Sequence, residues 1–378
     1  MTTLTIRPVK DKAGTMAFLK APFPIFADDP NWVAPLFLER LEHLDPKKNP
    51  YFEHAEAQLF VAERDGKPVG RISAQIDRLH LERHKDQTGQ FGFIDAENNP
   101  ETFAALFKAA EDWLRAKGMK RVTGPFSFSI NDETGLLVDG FNTPPNMLMP
   151  HHRNYYAAHV EKNGYRKAKD VLAFEFDNRA GLTPTLRKVV DRMMASGDLK
   201  VRPVNKKDLR NEINIIMSIF NDAWSQNWGF IPFTEAELNL LAKNFKMLVP
   251  AGAVQIASWK GENAAFIVSM PNINEWFQGL NGRVLSWKLP RLVKNLVTRK
   301  SKSVRVPLMG VLKKYQDTMV GAGLALSVIR EASDYQISRG VTHGEFSWVL
   351  EDNLRLRHIM ESMGARAYKT YRVYEKAL

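Results

Sequence analysis

The chain contains no cysteine in its 378 residues. That excludes disulfides, thiolate metal sites and any covalent intermediate on a cysteine. Nor is there any run of the roughly 18–20 uninterrupted apolar residues that a membrane-spanning helix needs. The first residues, from Met1 to Val9, alternate as a strand does. They have neither the apolar centre nor the small-residue cleavage site of a signal peptide, which makes a cytoplasmic location the expectation. Zinc-finger, RRM and basic-zipper spacings are missing too, so nucleic acid is not an expected partner. What is present is ordinary globular material, 44% hydrophobic and 25% charged, long enough for two domains. A formal net charge of +11 points to an anionic partner.

One plan occurs twice. Leu4 to Val9 (LTIRPV) recurs as Leu199 to Val204 (LKVRPV), each reading as a first strand. Phe60 to Ile72 reads as a β-hairpin turning at Asp65-Gly66, and Gln255 to Ile267 as its counterpart turning at Lys260-Gly261. Helices closed by glycine match in pairs, Gly118 with Gly340 and Gly164 with Gly364, and a terminal strand follows each member of the second pair. Four matches in one order predict a duplicated α/β unit. The predicted boundaries are residues 1–177, a linker with its own helix at 178–197, and residues 198–378.

In the second half, Val306 to Ala325 reads as an apolar strand, a short polar turn with glycines and the start of a helix. Such a unit aims backbone N–H groups and a positive helix end at one point, which suits a phosphate. Gln316-Asp317-Thr318-Met319-Val320-Gly321 resembles the CoA-pyrophosphate loop of the GNAT N-acetyltransferases, in which Arg or Gln is followed by two residues, Gly, one residue, and Gly or Ala. Met319 stands where the first glycine of that pattern falls. The order of elements in each half is also that of the GNAT fold, and Gly124 to Leu137 is similar to a group of bacterial tandem GNAT-like proteins.

The resemblance implies an α/β fold with mixed sheets, as two tandem GNAT-like acyl-CoA N-acyltransferase domains. It implies acetyl-CoA or another acyl-CoA as co-substrate and an amine as acceptor. The binding residues carried over are Gly310, Val311, Leu312, Gln316, Asp317, Thr318, Met319, Val320, Gly321, Ala322, Gly323 and Asn353. The backbone N–H near Val311 or Leu312 would hold the oxyanion. In the first half the equivalent loop, Ile94 to Glu101, carries Asp95, Glu97 and Glu101. These carboxylates would cap a helix from Thr102 to Lys117 and repel a pyrophosphate, so only the second half is expected to bind CoA.

On the strand from Thr342 to Trp348, alternation puts His343, Glu345 and Ser347 on one face. Glu345 is the candidate base; the alternative is a carboxylate holding a nearby arginine. Met360 occupies the family's position for a tyrosine acid and has no proton to give. Tyr371 or Tyr374 could supply it, and strand packing is the alternative for both. His80 and His84 lie one helical turn apart without a recognisable third ligand, so no metal site is expected. Gly124 to Leu137, with Ser127, Ser129, Asn131, Asp132 and Glu133 among Gly and Phe, reads as a strand feeding a polar turn, which either lines a substrate pocket or is a turn in which Asn131 and Asp132 bond their own backbone.

Arg283 to Lys302 is basic and amphipathic. It could lie on an anionic membrane or cover an anionic ligand, but the expected arrangement is a solvated face with its apolar side on the core. The expected function is direct transfer of an acyl group, acetyl being the simplest, from CoA to an amine. Two alternatives remain: a non-catalytic binder of CoA or another anion, and a tRNA-dependent aminoacyl or peptidyl transferase of the tandem type.

Overall fold

A computed structural model describes residues 3–284 and 287–378. Met1 and Thr2, and Leu285 and Ser286 of the basic stretch, lie outside the described residues. Thirteen strands are present among them: β1 (Leu4–Pro8), β2 (Ala55–Arg64), β3 (Lys67–Asp77), β4 (Thr88–Ala96), β5 (Arg121–Gly124), β6 (Leu136–Asp139), β7 (Arg166–Asp177), β8 (Leu199–Pro203), β9 (Val254–Trp259), β10 (Glu262–Pro271), β11 (Ser303–Val311), β12 (His343–Leu350) and β13 (Arg366–Ala377). The chain divides into two compact units, one of residues 1–171, 277–286 and 369–378, the other of residues 172–276 and 287–368. The division runs within β7 and β13, and the end of the chain counts with the first unit.

In the first unit β1, β2, β3 and β4 run antiparallel in that order. β5 is parallel to β4 and antiparallel to β13, with Tyr374 opposite Gly124. The β2–β3 hairpin turns at Asp65 and Gly66, with φ of 50° and 76°. Two successive positive φ values make the two-residue turn whose twist matches the strands, as the Asp-Gly pair predicts. The Pro100–Ala116 helix buries Phe103, Leu106, Phe107, Ala110 and Leu114. That spacing is one face of a helix, and it covers Ile72 and Ala74 of β3. Asn99 caps this helix by accepting from the N–H of Glu101 at 2.9 Å. The predicted cap of carboxylates is therefore corrected: Glu97 and Glu101 hold Arg64, and Asp95 holds Arg71.

In the second unit β8, β9, β10 and β11 run antiparallel, and β12 is parallel to β11. The end of β7 lies beside β12. The β9–β10 hairpin repeats the turn of the first, at Lys260 (φ 50°) and Gly261 (φ 86°). The Met319–Ser338 helix buries Leu324, Val328 and Ala332 against β9 and β10. It starts two residues before Gly321, so the glycines read as part of a loop belong to its first turns. No helix among the described residues is long and apolar enough to cross a membrane.

Candidate active site

β11 and β12 pair only from Ser303 to Val306 against His343 to Phe346. At the next residue, Pro307, there is no N–H to continue the ladder. β11 also carries an extra residue here, because Leu308 opposes Val268 while Arg305 opposes Met270. A bulge bends the strand that bears it. The two parallel strands part, and a small apolar pocket opens between them, lined by Trp224, Pro307, Met309, Phe346, Ser347 and Trp348 among others.

The N–H of Leu312 bonds the Ala264 carbonyl at 2.9 Å, toward β10. Leu312 is therefore removed as an oxyanion donor. By strand alternation the peptide groups of Met309 and Val311 turn the other way, into the gap. Their carbonyls take side-chain donors, the Trp224 indole for Met309 at 2.9 Å and the Gln316 amide for Val311 at 2.8 Å. Gly310 serves packing, since a Cβ there would lie 2.8 Å from the Phe266 ring and 3.4 Å from Ala223.

After β11 the chain makes one turn of helix, Lys313–Gln316, and enters the long helix through Thr318. The Thr318 hydroxyl donates to the Tyr315 carbonyl at 2.8 Å and accepts from the Gly321 N–H at 3.1 Å. A Cβ on Gly321 would lie 1.9 Å from the Tyr315 carbonyl oxygen, and one on Gly323 would lie 1.8 Å from Met193 Sδ. Both glycines thus allow the helix to press on its neighbours. The Ala322 N–H goes to the Thr318 carbonyl at 3.2 Å. Of the first helical turn, the amides of Met319 and Val320 have no partner among the described residues, as is usual where a helix begins. The Met319 side chain is 87% exposed and does not cover them. Asp317, just before this helix start, is paired with Arg355. Asn353 caps the Leu354–Ser362 helix, accepting from the Leu356 N–H at 3.2 Å. An open helix start and an apolar gap fit the two ends of a CoA thioester, its phosphates and its pantetheine arm.

Beside the gap lies a buried polar network. Arg305 Nε donates to Ser347 Oγ at 2.8 Å, and Ser347 Oγ in turn donates to Glu345. The Tyr368 hydroxyl donates to the other oxygen of Glu345. Arg305, Glu345 and Ser347 are at most 3% exposed. Glu345 thus sits with an arginine and two hydroxyls, and its link to the pocket is Ser347, which lines it. His343, on the same face, is exposed and bonded to Thr342. Tyr371 is fully buried in the first unit, opposite Leu137 of β6. Tyr374 is also buried there, and its hydroxyl donates to Glu161 at 3.1 Å. Met360 is fully buried in the core of the second unit.

Two curated relatives match almost the whole chain. One, named bacterial ceramide synthase, from Caulobacter vibrioides, is 44% identical over 376 residues, 99% of this chain and 98% of its own. The other, protein YghO from Escherichia coli, is 43% identical over 375 residues, 99% of this chain and 95% of its own. No family model matches. The chain belongs to the family of these two proteins. Its fold is the tandem GNAT fold. A tandem GNAT protein from the clavulanic acid biosynthesis pathway superposes with a TM-score of 0.58 at 11% identity, covering 99% of this chain and 98% of that one. A GCN5-related N-acetyltransferase from Sphaerobacter thermophilus gives 0.51 at 11% identity, covering 99% and 95%. A fungal GCN5-related glucosamine N-acetyltransferase region gives 0.60 at 13% identity, covering all of this chain, which spans 38% of that multidomain enzyme.

The first GNAT unit has the same parting of parallel strands, since β4 and β5 pair only over Thr88 to Gln90. There the protein fills the gap itself. Phe126 donates its N–H to the Phe91 carbonyl at 2.8 Å, and its own carbonyl lies 1.6 Å from where a Cβ of Gly92 would be. The following polar residues bond one another: Ser127 donates to Glu133 at 3.0 Å, and Ser129 accepts from the Asn131 N–H at 3.1 Å. Of the two readings of this segment, the structure shows the self-bonded turn. Burial raises Asp95 to about 6 against the pull of Arg71. His80 is buried and bonded to Asp86 at 3.3 Å.

Sequence reasoning missed Trp224, Trp348, Arg305 and Tyr368. The register of β11 against β12, which sets Arg305 opposite Glu345, was the signal that could have found one of them.

Proposed function

We propose that this chain is an acyl-CoA-dependent N-acyltransferase that forms an amide on the amine of a sphingoid base, using the site of its second unit. The observation that carries the reading is the parting of β11 and β12, with the Met309 and Val311 peptide groups turned into a gap lined by tryptophan. The acceptor comes from the relative named ceramide synthase, at 44% identity over nearly the whole chain. A ceramide is a fatty acyl amide of a long-chain amine, so a long acyl chain replaces acetyl as the expected donor group.

In this reading the amides of Met319 and Val320 hold a phosphate of CoA at the helix start. The Val311 N–H faces the thioester oxygen, where negative charge grows as the amine attacks. Ser347 accepts the proton that the amine loses and passes its own to Glu345, to which it already donates. The C–N bond forms, the C–S bond breaks, and the departing thiolate takes a proton from water. The first unit takes no part in binding CoA, because Phe126 occupies its gap.

The test is release of free thiol from acetyl-CoA and from a C16 acyl-CoA, each with sphinganine and with a panel of short amines, the product being identified by mass. Thiol release from the long-chain donor that depends on sphinganine is expected. CoA binding without thiol release from any pair would make the chain a binder, a reading that Met360, with no proton to give, favours. Stabilisation by tRNA and not by CoA would point to tRNA-dependent transfer.

A further inference from the structure

Between Glu275 and Asp317 the sequence has no acidic residue, although it carries Lys288, Arg291, Lys294, Arg299, Lys300 and Lys302 in a single stretch. The middle of that stretch is the Leu289–Thr298 helix. It turns Leu292, 3% exposed, to the unit beneath it. The opposite side is not the solvated polar face that the sequence suggests. Pro290, Val293 and Val297 are all exposed. Their spacing of three and four residues makes them one row along the outside of the helix. Val293 is 49% and Val297 76% exposed, and Trp287 just before the helix is 86% exposed. Arg291 and Lys294 lie along one side of the row, and neither has an ion pair among the described residues.

The helix is not a loose end that has failed to pack. Its last turn is tied down by Arg339 Nη2 on the Thr298 carbonyl at 2.6 Å and by Arg299 Nε on the Met247 carbonyl at 2.8 Å. Trp276 Nε1 holds the Lys300 carbonyl at 2.8 Å. Met247, at the end of the Glu235–Leu248 helix, adds a side chain 57% exposed. A fixed apolar row beside unpaired cations, with no carboxylate in the surrounding sequence, has the charge and polarity of a helix lying in the plane of an anionic membrane.

We propose that the Leu289–Thr298 helix and Trp287 dock this protein on an anionic lipid bilayer. Trp287, Val293 and Val297 enter the boundary of the acyl chains, while Arg291 and Lys294 meet lipid phosphates. This inference stands on exposure and charge, independently of the proposed reaction.

The experiment is sedimentation of the full-length protein with vesicles of phosphatidylglycerol and phosphatidylethanolamine, and with phosphatidylcholine vesicles, at low and high salt. Expected is binding to the anionic vesicles at least tenfold tighter than to the neutral ones, weakened by salt. Two variants are compared, Trp287→Ala with Val293→Ser and Val297→Ser, and Arg291→Glu with Lys294→Glu. Each should lose at least tenfold in vesicle affinity while keeping the melting temperature of the parent. Equal vesicle binding by parent and both variants overturns the proposal, as does absence of binding by the parent. So does a lipid-free oligomer that the serine variant dissociates without any change in vesicle binding, which would make the row a contact between copies of this chain.

Discussion

Trp224 donates its indole N–H to the Met309 carbonyl at 2.9 Å, on the side of β11 from which β12 has parted. The ring does there what a neighbouring strand would have done, and it also walls the pocket with Trp348, whose centroid is 6.1 Å away. Trp224→Phe keeps an aromatic ring and loses the hydrogen bond, which should cost about 1 kcal/mol in chemical denaturation. Trp224→Ala should cost about 2 kcal/mol or more and widen the gap, shifting the preferred acyl-CoA to a longer or bulkier chain. A series of donors of increasing length, assayed with both variants, checks this.

Met319 and Gly321 stand two residues apart in one turn and should respond in opposite ways. Met319→Gly removes a solvent-facing side chain and should leave CoA affinity unchanged or tighter. Gly321→Val places a branched side chain against the Tyr315 carbonyl and forces the helix start off its seat. Loss of one charge-assisted hydrogen bond is worth about 1.5–3 kcal/mol, so the Kd for CoA should rise about tenfold to a hundredfold. Calorimetric titration of CoA distinguishes the two.

Glu345 and Ser347 separate structure from chemistry in the buried network. Glu345→Gln weakens the charge compensation of Arg305, and breaking a buried pair costs about 3–5 kcal/mol, so the melting temperature should fall by many degrees. Ser347→Ala leaves Glu345 in place and cuts its link to the pocket. The rate should then drop by about 10²–10⁴-fold, with a smaller change in melting temperature. Thermal melts and turnover on the same preparations read both effects.

His152 should make the protein acid-labile. It is buried, and its Nδ1 accepts the Leu137 N–H at 3.0 Å, so that nitrogen cannot take a proton in the folded state. Burial, and then the charge of His151, push its pKa down to about 3. In the unfolded chain it titrates near 6.5, so between about pH 6.5 and pH 3 the unfolded state binds more protons. Stability is complete above that range and should fall on acidification by up to about 1.4 kcal/mol per pH unit for this one group. His152→Asn keeps an acceptor that does not titrate, and denaturation across that range should show a shallower slope.

What the sequence made legible is local. Asp65-Gly66 and Lys260-Gly261 announce their hairpins because two positive φ values are needed within two residues. Gly118, Gly164, Gly340 and Gly364 mark helix ends for a similar reason, with φ between 82° and 85°. Glu345 was found by alternation along its own strand, whereas its partner Arg305 lies 40 residues earlier, and only the pairing of β11 with β12 brings them opposite. Trp224 reaches Met309 across 85 residues. Such contacts leave no periodic trace. The basic helix was misjudged for a different reason: a hydrophobic row has the same spacing whichever way it faces, and the neighbours that decide this are distant in sequence.

Residues 369–378 count with the first unit, where β13 lies against β5. During synthesis the ribosome therefore delivers β1 to β6 long before the strand that covers the edge of β5. Until then the first unit waits with that edge unpaired, exposed to the wrong strand from another nascent chain. A duplicated sequence would suggest two bodies that mature one after the other, but this arrangement makes completion of the first depend on nearly the whole of the second having been made.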